Sequence, residues 1–156
     1  MAELTHLDEQ GRAHMVAVGH KPETLRRAVA QAIVTMSAEA LDAVRIGTKK
    51  GDAIQVARIA GIQAAKKTHE LIPLCHPLRL TQIAVTAEIL SDRVQLQSEV
   101  QALDRTGVEM EALTAVTVAA LTLYDMVKAV DHAAVIRDVR LVEKEGGKSG
   151  HLRPHG

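Results

Sequence analysis

Apolar positions recur with two different periods along the chain, and the period predicts the local structure. Residues 22 to 36 carry an apolar residue every three or four positions, as on one face of a helix. Pro22 suits a first helical turn, and Glu23 is favourable at its positive end. We therefore predict a helix from residue 22, preceded by a short strand over residues 14 to 18. The apolar stripe consists of Leu25, Val29, Ile33 and Met36.

Two more long helices and one short helix are predicted. Ser37 suits the N-cap of a short helix, and Asp52 resembles the cap of a helix that extends to about Glu70. Gly61 lies in the middle of that helix, where glycine is unfavourable, so it indicates close packing against a neighbour. Residues 107 to 130 form the third long helix.

The pattern changes to strict alternation between Leu80 and Ala102. Ser91-Asp92 interrupts this alternation, so the segment predicts a hairpin with one solvent-exposed face. A last strand is predicted over residues 135 to 142. The resulting order, β-α-β-β-α-β, is typical of an α+β, ferredoxin-like sandwich, an antiparallel sheet with helices on one face. We expect a single domain over 1–156, with 1–13 and 143–156 flexible.

Composition restricts how this domain is stabilised. Hydrophobic residues make up 47% of the 156, yet the chain has one Tyr, no Phe and no Trp. A core of Ala, Val, Leu, Ile and Met buries little area per side chain, which favours added stability from subunit contacts. An oligomer is therefore expected.

Charge and cysteine content exclude several classes of protein. The 19 Lys+Arg balance 19 Asp+Glu, so no broad basic field for nucleic acid is expected. Cys75 is the only cysteine, which leaves no internal disulfide and favours a reducing compartment. The first residues lack the apolar core of a signal peptide, and no run of about 18 apolar residues occurs. We expect a cytoplasmic protein without membrane contact.

Asp125 and Lys128 are the first candidates for chemistry, because residues three apart share a helix face. A carboxylate beside an ammonium can transfer protons, although spacing alone favours an ordinary surface ion pair. Glu111 lies on the same predicted helix, about 21 Å from Asp125 along the axis. If both residues act in one reaction, a site shared between subunits is the simpler arrangement.

Two other segments carry candidate residues. Cys75-His76 lies in an apolar loop between Pro73 and Pro77, which either fixes a functional His or is a structural connection. The chain has no second cysteine, and no other histidine lies two or four residues from His76, so no metal site is predicted at this loop. The tail Gly146–Gly150 resembles a Walker A end, but Val142 stands where its first glycine is required. The tail either folds over a phosphate or is a solvated surface segment.

Five segments, in the same order, resemble the MoaC family, the cyclic pyranopterin monophosphate synthases, over nearly the whole chain. They are Ala57–Thr68, Leu71–Leu78, Thr106–Ala115, Ala119–Met126 and Gly146–Gly150. The resemblance implies a lyase of molybdenum cofactor biosynthesis that converts 3′,8-cyclo-7,8-dihydro-GTP to cyclic pyranopterin monophosphate and pyrophosphate. It implies a homohexamer, a trimer of dimers with sites between subunits, and no cofactor.

The resemblance also implies roles for individual residues. Asp125 would be the catalytic acid and base, with Lys128 as its catalytic neighbour. The substrate-binding residues would be Leu74, Cys75, His76, Met110, Glu111, Glu109, Arg26, Lys50, Lys144 and Lys148.

Some positions depart from the family pattern. Ala17 stands where the family usually has Asp, and Asp104-Arg105 replaces a common Gly-Lys while keeping the charge at 105. The alternative function is a non-catalytic pterin- or nucleotide-binding regulatory module of the same topology. Such a module would leave the cyclised substrate unchanged.

Overall fold

A single antiparallel sheet forms the frame of the protein. The computed structural model describes residues 5–156. The elements are β1 (Thr24–Thr35), α1 (Ala38–Ile46), α2 (Ala53–Lys66), α3 (Thr68–Leu71), β2 (Leu80–Ile89), β3 (Arg93–Asp104), α4 (Glu109–Val127), β4 (Val135–Glu145) and β5 (His151–Leu152). The strand order is β2-β3-β1-β4-β5, with all neighbouring strands antiparallel. The predicted α+β, ferredoxin-like fold is confirmed.

The segment predicted as the first helix is instead the central strand, β1. An apolar spacing of four fits a period of two as well as a helix, and pairing with β3 on one side and β4 on the other decides for the strand. Ala28, Ala30 and Ala32 are fully buried beneath the helices, whereas Leu25 is 63% exposed. Residues 14 to 18, predicted as a strand, have no regular secondary structure. The predicted order β-α-β-β-α-β is still found, because β1 is its first strand and α2 is its first long helix.

The core is built from small aliphatic side chains where α4 crosses the sheet. Ala112, Val116, Ala119 and Leu123 of α4 are fully buried. A Cβ on Gly61 of α2 would lie 2.9 Å from the Ala115 backbone oxygen and 3.2 Å from the Ala119 Cβ. The predicted close approach at Gly61 is therefore confirmed, and it is what brings α2 and α4 into contact.

The helix starts predicted at Ser37 and Asp52 and the hairpin are confirmed. The Asp52 carboxylate accepts hydrogen bonds from the Ile54 and Gln55 amides, and the Ser37 hydroxyl accepts one from the Ala40 amide. The hairpin consists of β2 and β3. The last strand continues three residues beyond the prediction, to Glu145, because it also pairs with β5. Flexibility of 143–156 stays a prediction, and so does flexibility of 5–13; residues 1–4 lie outside the described part of the chain.

Helix α4 is long and apolar enough, by length and composition alone, to cross a membrane. Its apolar residues pack on the sheet and on α2, and more than half of its most apolar window, 56%, is buried inside the protein. The helix therefore matches the central helix of a folded core, and its two ends reach different parts of the surface.

Candidate active site

A cavity of about 240 Å³ lies at the N-terminal end of α4. The loop that follows α3 and the first turn of α4 provide most of its functional side chains. Six of the residues predicted to contact substrate meet here: Leu74, Cys75, His76, Glu109, Met110 and Glu111. We call this space the Cys–His cavity.

Glu111 is the buried carboxylate of its wall, and only 4% of the residue is exposed. Burial raises the pKa of Glu111 to about 7, and the neighbouring charges of Glu109 and Asp104 add to the shift. Burial also raises the pKa of the Cys75 thiol, with a contribution from Glu111. A carboxyl group with a pKa near neutrality can either donate or accept a proton under working conditions. The Cys75 thiol stays protonated and is not a poised nucleophile.

A second cavity, of about 510 Å³, lies next to the first and shares Glu109 with it. Among its described lining residues are five cations and one carboxylate, a balance that suits a polyanion. Glu109 forms an ion pair with Lys144, which holds that ammonium group at the wall. We call this space the cationic cavity. Its cations are Lys21, Arg26, Arg105, Lys144 and Lys148.

The loop between β4 and β5 closes one side of the cationic cavity over Arg26. A Cβ on Gly147 would overlap with Nη1 of Arg26, and the residue has a φ of 73°. Only glycine fits there, because a side chain would displace the guanidinium and strain the backbone. Arg26 itself is 9% exposed, and its Nε donates to the Asp104 backbone oxygen at 3.4 Å. The rejection of a Walker A motif is confirmed, because β5 and not a helix follows this loop.

A separate cluster lies at the other end of α4. Lys128 Nζ is 2.8 Å from Asp125 Oδ1, and Lys50 Nζ is 3.0 Å from Asp125 Oδ2. The hydrogen bonds from Lys128 and then Lys50 lower the pKa of Asp125, and the bond to Asp125 raises the pKa of Lys128. All three side chains are about half exposed. In the isolated chain the cluster therefore favours its charged forms over proton exchange.

Helix α4 connects the two regions and keeps them apart. Glu111 and Asp125 lie about 21 Å apart along its axis, at about 1.5 Å per residue. Lys50, predicted to bind substrate, lies with Asp125 and Lys128 rather than with Arg26. One chain thus brings nine of the predicted residues together at one end of α4 and three at the other.

Sequence reasoning missed two cations of the cationic cavity, Lys21 and Arg105. Lys21 lies just before the segment predicted as a helix, and the turn closed by the hydrogen bond from its amide to the Val18 oxygen brings it to the cavity. Arg105 had a usable signal, since its charge is kept where the family commonly has Lys. Ala17, the main departure from the family pattern, is exposed, while its neighbours Val16 and Val18 line the Cys–His cavity.

Comparison with known proteins identifies the family. Residues 15–147 match the family model described as MoaC family. The chain belongs to this family. Other MoaC proteins are similar over nearly their full length. "Cyclic pyranopterin monophosphate synthase 3" of Mycobacterium tuberculosis (strain ATCC 25618 / H37Rv) is 60% identical over 154 residues, covering 97% of this chain and 87% of the relative.

Two further relatives carry the name "Cyclic pyranopterin monophosphate synthase". That of Thermomicrobium roseum is 56% identical over 156 residues, which cover 98% of this chain and 94% of the relative. That of Roseiflexus sp. (strain RS-1) is 56% identical over 153 residues, with 96% and 97% covered. The resemblance seen in the sequence motifs is confirmed.

Proposed function

We propose that this chain is a lyase of molybdenum cofactor biosynthesis, converting 3′,8-cyclo-7,8-dihydro-GTP to cyclic pyranopterin monophosphate and pyrophosphate. The observation that carries the proposal is the pair of adjoining cavities. One holds a carboxyl group with a pKa near neutrality, and the other holds five cations. Their chemistry matches the two ends of a nucleotide triphosphate, and the curated relatives carry the corresponding enzyme name.

The rings of the substrate are placed in the Cys–His cavity. Rearrangement of a purine-derived ring system needs proton transfers at several atoms, and Glu111 can serve as donor or acceptor near neutral pH. His76 offers a second polar contact, and Leu74 and Met110 offer apolar ones. These residues would bind and orient the rings.

The triphosphate is placed in the cationic cavity. Attack of a ribose-derived hydroxyl on the α-phosphorus forms one P–O bond and breaks the bond to the β-phosphate, so pyrophosphate leaves. Lys144 and Lys148 would bind the phosphates, and Arg26 would stabilise the charge that develops on the leaving group. These cations serve both purposes without a resident cofactor.

Asp125 and Lys128 are proposed as the catalytic pair, supplied to these cavities by another subunit. Asp125 is held as a carboxylate by two lysines, so it can accept the proton of the attacking hydroxyl. Lys128 is held protonated and can donate or stabilise an anion. Substrate phosphates would attract Lys50 and Lys128 and so loosen their hold on Asp125.

The assembly proposed is a homohexamer, a trimer of dimers, in the cytoplasm. The supporting observation is the separation of about 21 Å between Glu111 and Asp125 on one rigid helix. Two chains with antiparallel α4 helices would place the N-terminal end of one beside the C-terminal end of the other. No nucleic-acid or membrane partner is proposed.

The deciding experiment is incubation with enzymatically generated 3′,8-cyclo-7,8-dihydro-GTP, followed by a pyrophosphate assay and by oxidation and chromatography of the pterin product. The enzyme releases pyrophosphate and forms cyclic pyranopterin monophosphate in equal amounts. The alternative, a non-catalytic regulatory module, would return the substrate unchanged. That alternative is not favoured, because the curated relatives of 56% to 60% identity carry the name of the enzyme.

A further inference from the structure

The tail after β4 turns back along that strand and carries a cavity residue in the turn. His151 pairs with Glu145 and Leu152 pairs with Lys144 in the sheet register. The Gly146 amide donates to the Gly150 oxygen at 2.9 Å, and this closes the loop. Lys148, at the middle of the loop, lines the cationic cavity. The position of Lys148 therefore depends on whether β5 stays on β4.

Backbone pairing alone gives β5 little stability. The strand has two residues at the edge of the sheet, and an isolated two-stranded segment is marginal even when it is longer. Gly146, Gly147 and Gly150 add freedom that must be lost when the loop is ordered. Side-chain contacts are needed to keep the tail in this register.

Glu143 makes these contacts. His151 Nε2 donates to Glu143 Oε1 at 2.7 Å, and Arg153 Nη2 lies 3.5 Å from the same oxygen. The hydrogen bond from His151, followed by the charges of Arg153 and Arg27, lowers the pKa of Glu143 to about 2. Glu143 is therefore a carboxylate at every working pH. We call Glu143, His151 and Arg153 the tail clasp.

The clasp is fixed to the body of the sheet by Arg27 of β1. Its Nη1 lies 3.3 Å from Glu143 and 3.4 Å from Glu145, and its Nη2 lies 3.1 Å from Glu99 of β3. Glu143, Glu145 and His151 also place three possible metal-ligand atoms within 4.8 Å of one another. The guanidinium groups of Arg27 and Arg153 already occupy the carboxylates there, so the charges favour an ion-pair clasp over a cation site.

We infer that Glu143 is a positioning residue: through His151 and Arg153 it holds β5 on β4 and so keeps Lys148 at the cationic cavity. The inference rests on the proposed function of that cavity. It goes beyond the family pattern, because His151 and Arg153 follow residue 147, where the match to the family model ends. Glu143 touches no substrate in this role and acts only through the loop.

The test is the double variant His151→Ala/Arg153→Ala, which leaves Arg27 and Glu143 paired. His155→Ala, an exposed tail residue outside the clasp, is the matched control. In the double variant we expect KM to rise roughly threefold to tenfold with kcat within about twofold and Tm unchanged, because ordered loop geometry is lost but not chemistry. The control should behave as wild type. Equal KM values in the double variant and the wild type would overturn the inference.

A double-mutant cycle separates positioning from a general structural effect. In a Lys148→Ala background the clasp substitutions should change KM by less than about twofold, since the group they position is gone. Full additivity would count against the inference. If the double variant does not fold, Glu143→Gln takes its place in the same cycle.

Binding of inorganic triphosphate, measured by calorimetry, requires no turnover and distinguishes the two ways of failing. Weaker binding in the clasp variant supports the inference even if the proposed reaction is wrong. If Lys148→Ala binds triphosphate more weakly and the clasp variant binds it as the wild type does, phosphate binding by the cationic cavity is supported. The positioning of Lys148 by the tail clasp is then refuted.

Discussion

Asp125 bridges two lysines, with Lys128 Nζ 2.8 Å from one carboxylate oxygen and Lys50 Nζ 3.0 Å from the other. The three side chains are about half exposed, and surface ion pairs add little to stability. Removing one member of this cluster should therefore cost the fold little, so the activity of such variants tests chemistry rather than folding.

We expect Asp125→Ala and Lys128→Ala to leave the fold and assembly unchanged and to lower turnover by at least about 100-fold, as loss of a general acid or base does. The measurements are pyrophosphate release, circular dichroism and size-exclusion chromatography. Asp42→Ala is the matched control, because Asp42 and Arg45 form an exposed pair with the same spacing. Wild-type turnover in either Asp125→Ala or Lys128→Ala would remove the pair from the mechanism.

Subunit sharing predicts complementation between inactive variants. His76 lies in the Cys–His cavity and Asp125 lies at the opposite end of α4. Substitution of either residue therefore removes a group from a different half of a shared site. Mixing His76→Ala with Asp125→Ala should restore part of the activity, because mixed interfaces contain one intact site. Subunit exchange is verified by mass-tagged chains, and the same mixture without exchange is the control. No recovery after exchange would contradict a site shared between subunits.

Glu111 predicts a pH dependence of stability. Its pKa is 4.5 in the unfolded chain and about 7 in the folded one, so the folded state holds more protons between those values. Stability contributed by this group is thus full below about pH 4.5 and is lost as pH rises through about 7. Glu111→Gln should remove this loss. Between pH 4.5 and pH 8, the free energy of unfolding of the variant should therefore rise by about 1–3 kcal/mol relative to that of the wild type. Urea unfolding at several pH values measures it, and parallel curves would contradict the raised pKa.

Much of the fold could be predicted from the sequence because local signals agreed with tertiary packing. The Asp52 cap, the alternation in β2 and β3 and the close packing at Gly61 all depend on neighbours in sequence or on one contact. The first strand could not be predicted in this way. Its apolar spacing fits two periods, and only pairing with β3 and β4, far along the chain, decides between them.

The residues of the candidate site also fall into those that local sequence motifs reveal and those that only the tertiary structure reveals. Cys75-His76 and Met110-Glu111 are contiguous motifs, so a resemblance to the family finds them directly. Lys21 joins the cationic cavity only through the turn over residues 18 to 21, which has no periodic signal. The tail clasp depends on the register of β5 against β4, which a two-residue strand does not encode by itself.

The tail gives the last prediction, which concerns phosphate binding and order. Lys144 forms an ion pair with Glu109 at the cationic cavity, and Lys148 lies in the glycine-rich loop beside it. Ordering glycines costs entropy, so contacts with a triphosphate should protect the loop. We expect limited proteolysis near Gly146 to slow at least about threefold when triphosphate is added, and Lys144→Ala to abolish most of that protection.

The same variant distinguishes binding from folding. Lys144→Ala should raise KM while Tm changes little, because Glu109 remains partly exposed and can be hydrated once its partner is removed. Lys66→Ala, a solvent-exposed lysine at the end of α2 and outside the cationic cavity, is the control for loss of one positive charge. Equal cleavage with and without triphosphate, together with an unchanged KM in Lys144→Ala, would return the tail to the role of a solvated surface segment. Protection that persists in Lys144→Ala but is lost in Lys148→Ala would instead assign the phosphate contact to the loop itself.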